Sequence, residues 1–422
     1  QFSGLETTMQ DLNVKNNYFT FPDRRPGKSR DQGEIDEILT KFGSELPYVH
    51  TANISGAKIQ LRTNSKHVSD FWQLNWYPAG LEEAEGTVCV INGLEGYEPH
   101  LFYNLEQRKM LIVNSEYYGA AKSAGALGLA GAILEEKTGY PIHGGCVAIE
   151  KNGISEGVII IAPTGTGKTA QSHELTYSLG NTKVHSDDYM FIFFNGEPIA
   201  KATERQLYMR TDIAEEHPTF IHLFHELPLE NVVTEKVKCA QKSDKLEQMG
   251  RCYRECSEGE RRCVFDQGAD RCYWSYGNSR VMFPRSMFPT LMRNSHGLMY
   301  EAFKEESNVI DEAAVKYIIL LTRDDESSPI RKLDIDDAIE VLREGKYTIR
   351  PGAGPREKWG KIGYEPFYDP YPPEINEDRQ EELYKRLFEA DVLFYLLNTG
   401  SYKGRKITTH QTHMYIRHII GV

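Results

Sequence analysis

Gly157-Val158-Ile159-Ile160-Ile161-Ala162-Pro163-Thr164-Gly165-Thr166-Gly167-Lys168-Thr169 joins three local signals in one short run. The unbroken apolar stretch from Val158 to Ile161 has the pattern of a strand covered on both faces. Gly165 and Gly167 then permit a tight turn, and Lys168-Thr169 opens a helix. Backbone N–H groups turned inward by such glycines, together with the positive end of a helix dipole, form a cradle for phosphate oxygens. Lys168 would neutralise the β and γ oxygens of a triphosphate, and Thr169 would ligate Mg²⁺. Ala162 stands where the general pattern has its first glycine, but strand, turn and helix signals agree. The expected phosphate-loop residues are Thr164, Gly165, Thr166, Gly167, Lys168 and Thr169.

Downstream, Lys183-Val184-His185-Ser186-Asp187-Asp188-Tyr189-Met190-Phe191-Ile192-Phe193-Phe194 reads as a strand carrying two adjacent carboxylates. Neighbouring strand residues face opposite ways, so one of Asp187 and Asp188 meets a substrate and the other supports it. A carboxylate there can hold a divalent ion or accept the proton of an attacking hydroxyl. An Asp-Asp pair by itself is more often a solvated turn; its place after a phosphate loop favours the functional reading. Upstream, His143 lies in Pro141-Ile142-His143-Gly144-Gly145-Cys146, before a hairpin expected through Lys151-Asn152-Gly153. That hairpin would return the imidazole to the mouth of the loop, where it could ligate a transition metal.

The 422 residues are 40% hydrophobic, enough for a large core and two or three domains. A net charge of −12 gives no general attraction for nucleic acid or an anionic membrane, so any bound anion needs a local site. No basic segment followed by an apolar run begins the sequence, and no long apolar stretch interrupts it, which makes a cytoplasmic location the expectation. Residues 1–50 read as a polar arm, 51–150 as a small α/β lobe with a helical run from Ala120 to Leu134, and 151–422 as the phosphate-loop lobe.

His143, the phosphate loop and Asp187-Asp188, in that order and spacing, resemble the superfamily of phosphoenolpyruvate carboxykinase and HPr kinase. Four further segments look like the ATP-type carboxykinase in particular. Glu116-Tyr117-Tyr118-Gly119 with Lys122 and Gly125 is similar to the segment that supplies a metal-binding lysine, with two alanines where the family has Glu-Met before that lysine. Glu204-Arg205-Gln206-Leu207-Tyr208-Met209-Arg210-Thr211 resembles a segment whose glutamate lies beside the nucleotide. Asn278-Ser279-Arg280-Val281-Met282-Phe283-Pro284 looks like one whose arginine contacts the γ-phosphate. Leu397-Asn398-Thr399-Gly400, followed by Gly404-Arg405-Lys406-Ile407 and Thr412, is similar to the segment around the adenine. The matches are collinear over roughly residues 115 to 420. The resemblance implies a two-lobed α/β (α+β) fold with the phosphate loop in the C-terminal lobe. It also implies ATP or another purine nucleotide, Mg²⁺ or Mn²⁺, metal ligation by Thr169, Asp188 and His143, and Lys122 and Arg280 beside the reacting phosphate.

The Arg-Ser-Pro-Lys-Asp-Lys segment with which decarboxylating members grip oxaloacetate has no counterpart; Arg25-Pro26-Gly27-Lys28-Ser29-Arg30 shares only its composition. The expectation is therefore a kinase acting on an unidentified hydroxyl or carboxylate acceptor, in a small molecule or a protein. Two alternatives stand beside it: a carboxykinase with a remodelled oxaloacetate site, and a non-catalytic nucleotide-sensing module.

Cys239, Cys252, Cys256, Cys263 and Cys272 crowd into a charged insertion, 239–272, that is too poor in apolar residues to hold itself together by burial. A structural zinc knob, disulfides and unlinked thiols all fit that spacing. Trp72-Gln73-Leu74-Asn75-Trp76-Tyr77 is expected as core and hairpin surface more than as an acceptor pocket. Arg350 to Trp359 reads as a Gly/Pro-rich loop, and Tyr364 to Pro373 as neither helix nor central strand, with no function assigned.

Overall fold

This computed structural model describes residues 26–80, 83–163, 165–211, 224, 227–232, 268, 279–303, 306–325, 327–349, 358 and 360–422. Within them the architecture is mixed α/β. The run Val158–Ile161 ends the strand Ile154–Ile161, which pairs in parallel with Glu312–Thr322 and antiparallel with Gly145–Lys151. The hairpin that joins Gly145–Lys151 to Ile154–Ile161 turns at Asn152-Gly153, both with positive φ. Strand Glu312–Thr322 uses its other edge twice: first Glu197–Ala202 pairs there antiparallel, then Leu393–Asn398 pairs in parallel. Thr182–Ser186, Tyr189–Asn195, Tyr140–His143 and Ile330–Leu333 complete a nine-stranded sheet.

Period-two alternation divides this sheet's side chains between two cores. Ile159, Ile161, Ile318 and Leu320 meet Leu342 of helix Ile335–Glu344 and Leu383 and Leu387 of helix Glu377–Glu389. Val158, Ile160, Ile319 and Leu321 meet Leu175 of helix Lys168–Ser178 and Ile416 and Ile420 of helix Thr409–Ile420. Coverage on both faces is why the strand sequence is continuously apolar, each fully buried Ile or Leu contributing roughly 1.5–3 kcal/mol.

A second sheet has seven strands in the order Gly27–Arg30, His100–Asn104, Lys109–Val113, Gly86–Ile91, Ala57–Thr63, Tyr48–Ile54 and Tyr77–Pro78. Residues 27–50, expected within an arm, thus belong to the first lobe; residues 1–25 lie outside the described ones. The apolar spacing that marks helix Glu34–Phe42 is short: Ile35 and Ile38 pack on Cys89, Leu111 and Val113. The lobe boundary also moves, since Tyr140–His143 and Gly145–Lys151 belong to the nine-stranded sheet.

Trp72 and Trp76 are core, as expected, but Trp72 lies in helix Lys66–Asn75 and Trp76 caps it, where a hairpin was expected. Ser65 caps that helix by accepting from the Val68 N–H, a local signal that outweighs the aromatic run. The expected helix from Ala120 is present, with a π-helical segment, Ala121–Leu127, before α-helix Gly128–Glu136. Its small residues let it pack between the lobes, where Ala124, Ala130 and Leu134 share a core with Trp72, Val88, Tyr189 and Phe191.

Cys89 and Cys146 are buried free thiols. The five clustered cysteines and most of the loop from Arg350 lie outside the described residues. Among the described residues no helix is long and apolar enough to cross a membrane.

Candidate active site

Strand pairing brings the two sequence-distant candidates together. Tyr189 lies opposite His143 in the antiparallel pair Tyr189–Asn195 with Tyr140–His143, and the Gly144 N–H donates to the Asp188 carbonyl at 2.9 Å. Strand Ile154–Ile161 then delivers the glycine turn and helix Lys168–Ser178 beside them. Gly165 and Gly167 have φ of 80° and 112°, the left-handed region that an L side chain rarely adopts, and Gly167 caps the helix that starts at Lys168. The first-turn amides of that helix have no acceptors within it and are available to an anion. Thr166 is buried and Thr169 follows Lys168 in the first turn. Thr164 lies outside the described residues.

Asp188 is the hub. Its Oδ1 receives Lys168 Nζ at 3.1 Å and lies 3.3 Å from His143 Nε2; its Oδ2 receives Lys122 Nζ at 2.5 Å and the Tyr371 hydroxyl at 2.6 Å. Lys168 Nζ also donates to His143 Nε2 at 2.7 Å. Burial disfavours charge on Asp188, yet Lys122, Lys168 and His143 outweigh it and hold the carboxyl well below the usual aspartate range. Burial likewise opposes the Lys122 ammonium, but Asp188 and then Glu204 keep it well above the ordinary lysine value. The π-helical turn that carries Lys122 is a rare geometry found often at functional sites.

Asp187 faces away from this cluster; contrary to the expected continuous strand, it and Asp188 form the bend between strands Thr182–Ser186 and Tyr189–Asn195. Asp187 Oδ2 accepts the Tyr208 N–H at 2.8 Å and lies 3.4 Å from His173 Nε2, so it braces the neighbouring strand and helix. Glu204, expected beside the nucleotide, is placed with Lys122 at 3.3 Å and accepts from Asn75 Nδ2 at 3.0 Å. Burial pushes its carboxyl up to about 7, with Lys122 pulling it down and Asp188 adding to the rise. The nearer partner, Asp188, takes most of the lysine's charge.

Arg280 begins strand Arg280–Pro284, opposite Arg210, and its Nη1 donates to the Ser279 carbonyl at 3.1 Å. Its positive charge reaches the Tyr118 hydroxyl. Tyr118 stacks on Tyr208 at 5.7 Å, and the Tyr208 ring lies 4.1 Å beneath Lys122 Nζ, so aromatic rings join Arg280 to the lysine–carboxylate cluster. Asn278 lies outside the described residues.

A cavity of about 550 Å³ opens beside the start of helix Lys168–Ser178, lined by Thr166, Gly167, Gln171, Arg323, Thr399 and Thr412 among others. Lys406 lines it as expected; Arg405, exposed beside it on the two-residue strand Arg405–Lys406, does not. Gln171 is tied across its wall, Nε2 donating to the Thr409 carbonyl at 3.0 Å.

The segment left without a function, Tyr364 to Pro373, supplies the contacts that sequence reasoning missed. His143 Nδ1 lies 2.5 Å from the Tyr368 carbonyl, which can only accept; Nδ1 is therefore the donor, and Nε2 faces Asp188 and Lys168. That orientation is the one a metal-ligating histidine requires. Among the described residues no three His, Cys, Asp or Glu side chains converge as a metal site, so the donor set here is mixed: His143 Nε2, Asp188 and, once deprotonated, Lys122. A carboxylate donor suits Mn²⁺ and an imidazole the later divalent transition metals, and Thr169 is the candidate for Mg²⁺ carried by a triphosphate. An aspartate and a tyrosine held between prolines was the available sequence signal for Tyr371.

No family model matches the chain, and no curated protein matches it.

Proposed function

We propose that the chain is a metal-dependent phosphotransferase that moves the γ-phosphate of ATP or another purine nucleotide to a hydroxyl or carboxylate acceptor, with a carboxykinase-like fold. The observation that carries the reading is one carboxylate, Asp188, gathering Lys122, Lys168 and His143 at the start of a helix that also borders the cavity. The cavity has the volume of a nucleoside site, and Lys406 in its wall brings a positive charge suited to phosphate.

The residues divide the work by charge. When a triphosphate occupies the loop, Lys168 turns from Asp188 to the phosphate oxygens, and the helix amides add partial positive charge. Asp188 then loses one of its two ammonium partners, which leaves an oxygen for a divalent ion. A divalent ion held by His143, Asp188 and Lys122 would screen charge on the transferring group. Burial of the cluster strengthens each of these interactions.

The test is transfer of label from γ-labelled ATP into a fractionated cell extract, with protein and small-molecule products separated. Lys168→Ala should lower transfer by at least about 100-fold, the scale of one lost transition-state contact. Equal labelling by wild type and variant would remove the active-site assignment.

A further inference from the structure

Of the four groups around Asp188, Lys168, Lys122 and His143 are charged side chains or metal ligands with work elsewhere in the reaction. The fourth, the Tyr371 hydroxyl, is neutral and donates to Oδ2 at 2.6 Å. A carboxylate whose ion-pair partners leave for phosphate and metal is free to rotate about its Cβ–Cγ bond unless something else holds it.

Tyr371 itself has little freedom. Its ring stacks on Tyr189 at 5.2 Å and lies 4.8 Å from the His143 ring. Its N–H donates to Asp369 Oδ1 at 3.1 Å, while Asp369 Oδ2 accepts the Tyr189 hydroxyl at 2.7 Å. The preceding residue but two, Tyr368, accepts from His143 Nδ1. Pro370, Pro372 and Pro373 fix φ around it. Phe367 and Tyr368 have φ of 55° and 52°, a conformation aromatic residues rarely adopt and keep only where their surroundings over-determine it. Gly128 makes room for the segment: a Cβ there would meet the Tyr371 carbonyl oxygen at 3.1 Å and Pro373 Cδ at 3.0 Å.

We infer that Tyr371 is a positioning residue, holding the Asp188 carboxylate in its ligating orientation while Lys168 serves the bound phosphate, and that the segment Tyr368–Tyr371 orients His143 and Asp188 as one unit. The inference rests on the phosphotransfer reading above. Tyr371 works through Asp188 and His143 and makes no contact of its own with the transferred group.

The experiment uses the full chain and two probes: Mn²⁺ alone, by electron paramagnetic resonance titration, and a fluorescent ATP analogue in excess chelator. Tyr371→Phe keeps the stacked ring and removes only the hydroxyl. It should weaken Mn²⁺ binding by about 10-fold or more, the usual cost of losing a group that orients a ligand, and leave metal-free nucleotide binding within about twofold. Glu374→Ala breaks the exposed pair with Arg30 in the same segment and should change neither measurement. Wild-type Mn²⁺ affinity in Tyr371→Phe overturns the inference, as does loss of metal-free nucleotide binding, which would place the hydroxyl's role elsewhere. A wild-type protein that binds the analogue and no Mn²⁺ overturns the inference together with the metal assignment. Lys168→Ala reports separately: if it binds the analogue as wild type does, the phosphate-site reading fails whatever Tyr371→Phe shows.

Discussion

Replacing Lys122 by Met is the sharpest perturbation of the buried cluster. The lysine is 4% exposed, 2.5 Å from Asp188 and 3.3 Å from Glu204, and methionine nearly matches its stem in volume. Removing one partner of a buried ion pair typically costs 3–5 kcal/mol, because the remaining charge keeps its desolvation penalty. Two features place this case at about 3 kcal/mol on that scale. Asp188 retains Lys168 at 3.1 Å, and Glu204, already raised to about 7, rises further without the lysine and becomes neutral. The assay is urea unfolding at pH 7, followed by the fluorescence of buried Trp72 and Trp76. Combining Lys122→Met with Glu204→Gln should show coupling on the order of 1 kcal/mol, since the amide leaves no second carboxylate to be stranded. A loss below about 1 kcal/mol for the single variant, or additive losses within about 0.5 kcal/mol, would refute the charge balance described for the site.

Gly400→Ala should impair nucleotide binding and lower stability together, because a Cβ at this cavity-lining position would overlap the Asp324 carbonyl; fluorescent-nucleotide titration and unfolding check it. His185 gives a pH signature. Burial and then the charge of Arg285 lower its imidazole to about 4, with Nε2 donating to the Ala200 carbonyl at 3.0 Å. A histidine depressed in the fold contributes stability above its unfolded value of roughly 6.5 and loses it as pH falls toward 4, a total of about 3 kcal/mol. His185→Gln should flatten the stability profile across that window; an unchanged slope would show that the imidazole does not carry it.

The strand, turn and helix around Lys168 were legible because each is local: an apolar run, turn glycines and a helix start are set by neighbours in sequence. Asp187 and Asp188 do have different partners, but they sit in the bend between two strands, so the strand alternation expected of them is not what separates them. Helix Glu34–Phe42 was missed because its buried face consists of two isoleucines within a charged stretch. Helix Lys66–Asn75 was misread because its aromatic residues suggested strand while its cap, Ser65, carried the better signal. The place of Glu204 beside Lys122 was not legible, since it joins residues far apart in the chain.

By itself, then, the sequence determined the strand, glycine turn and helix around Lys168, because those features depend on local apolar pattern, turn conformation and residue type. The tertiary structure decided which side chains touch. His143, Asp188 and Lys168 meet through sheet pairing, Lys122 arrives on a π-helical turn, and Tyr371 comes from a segment with no regular pattern at all. Such contacts rest on packing between residues far apart in the chain, which no local periodicity encodes.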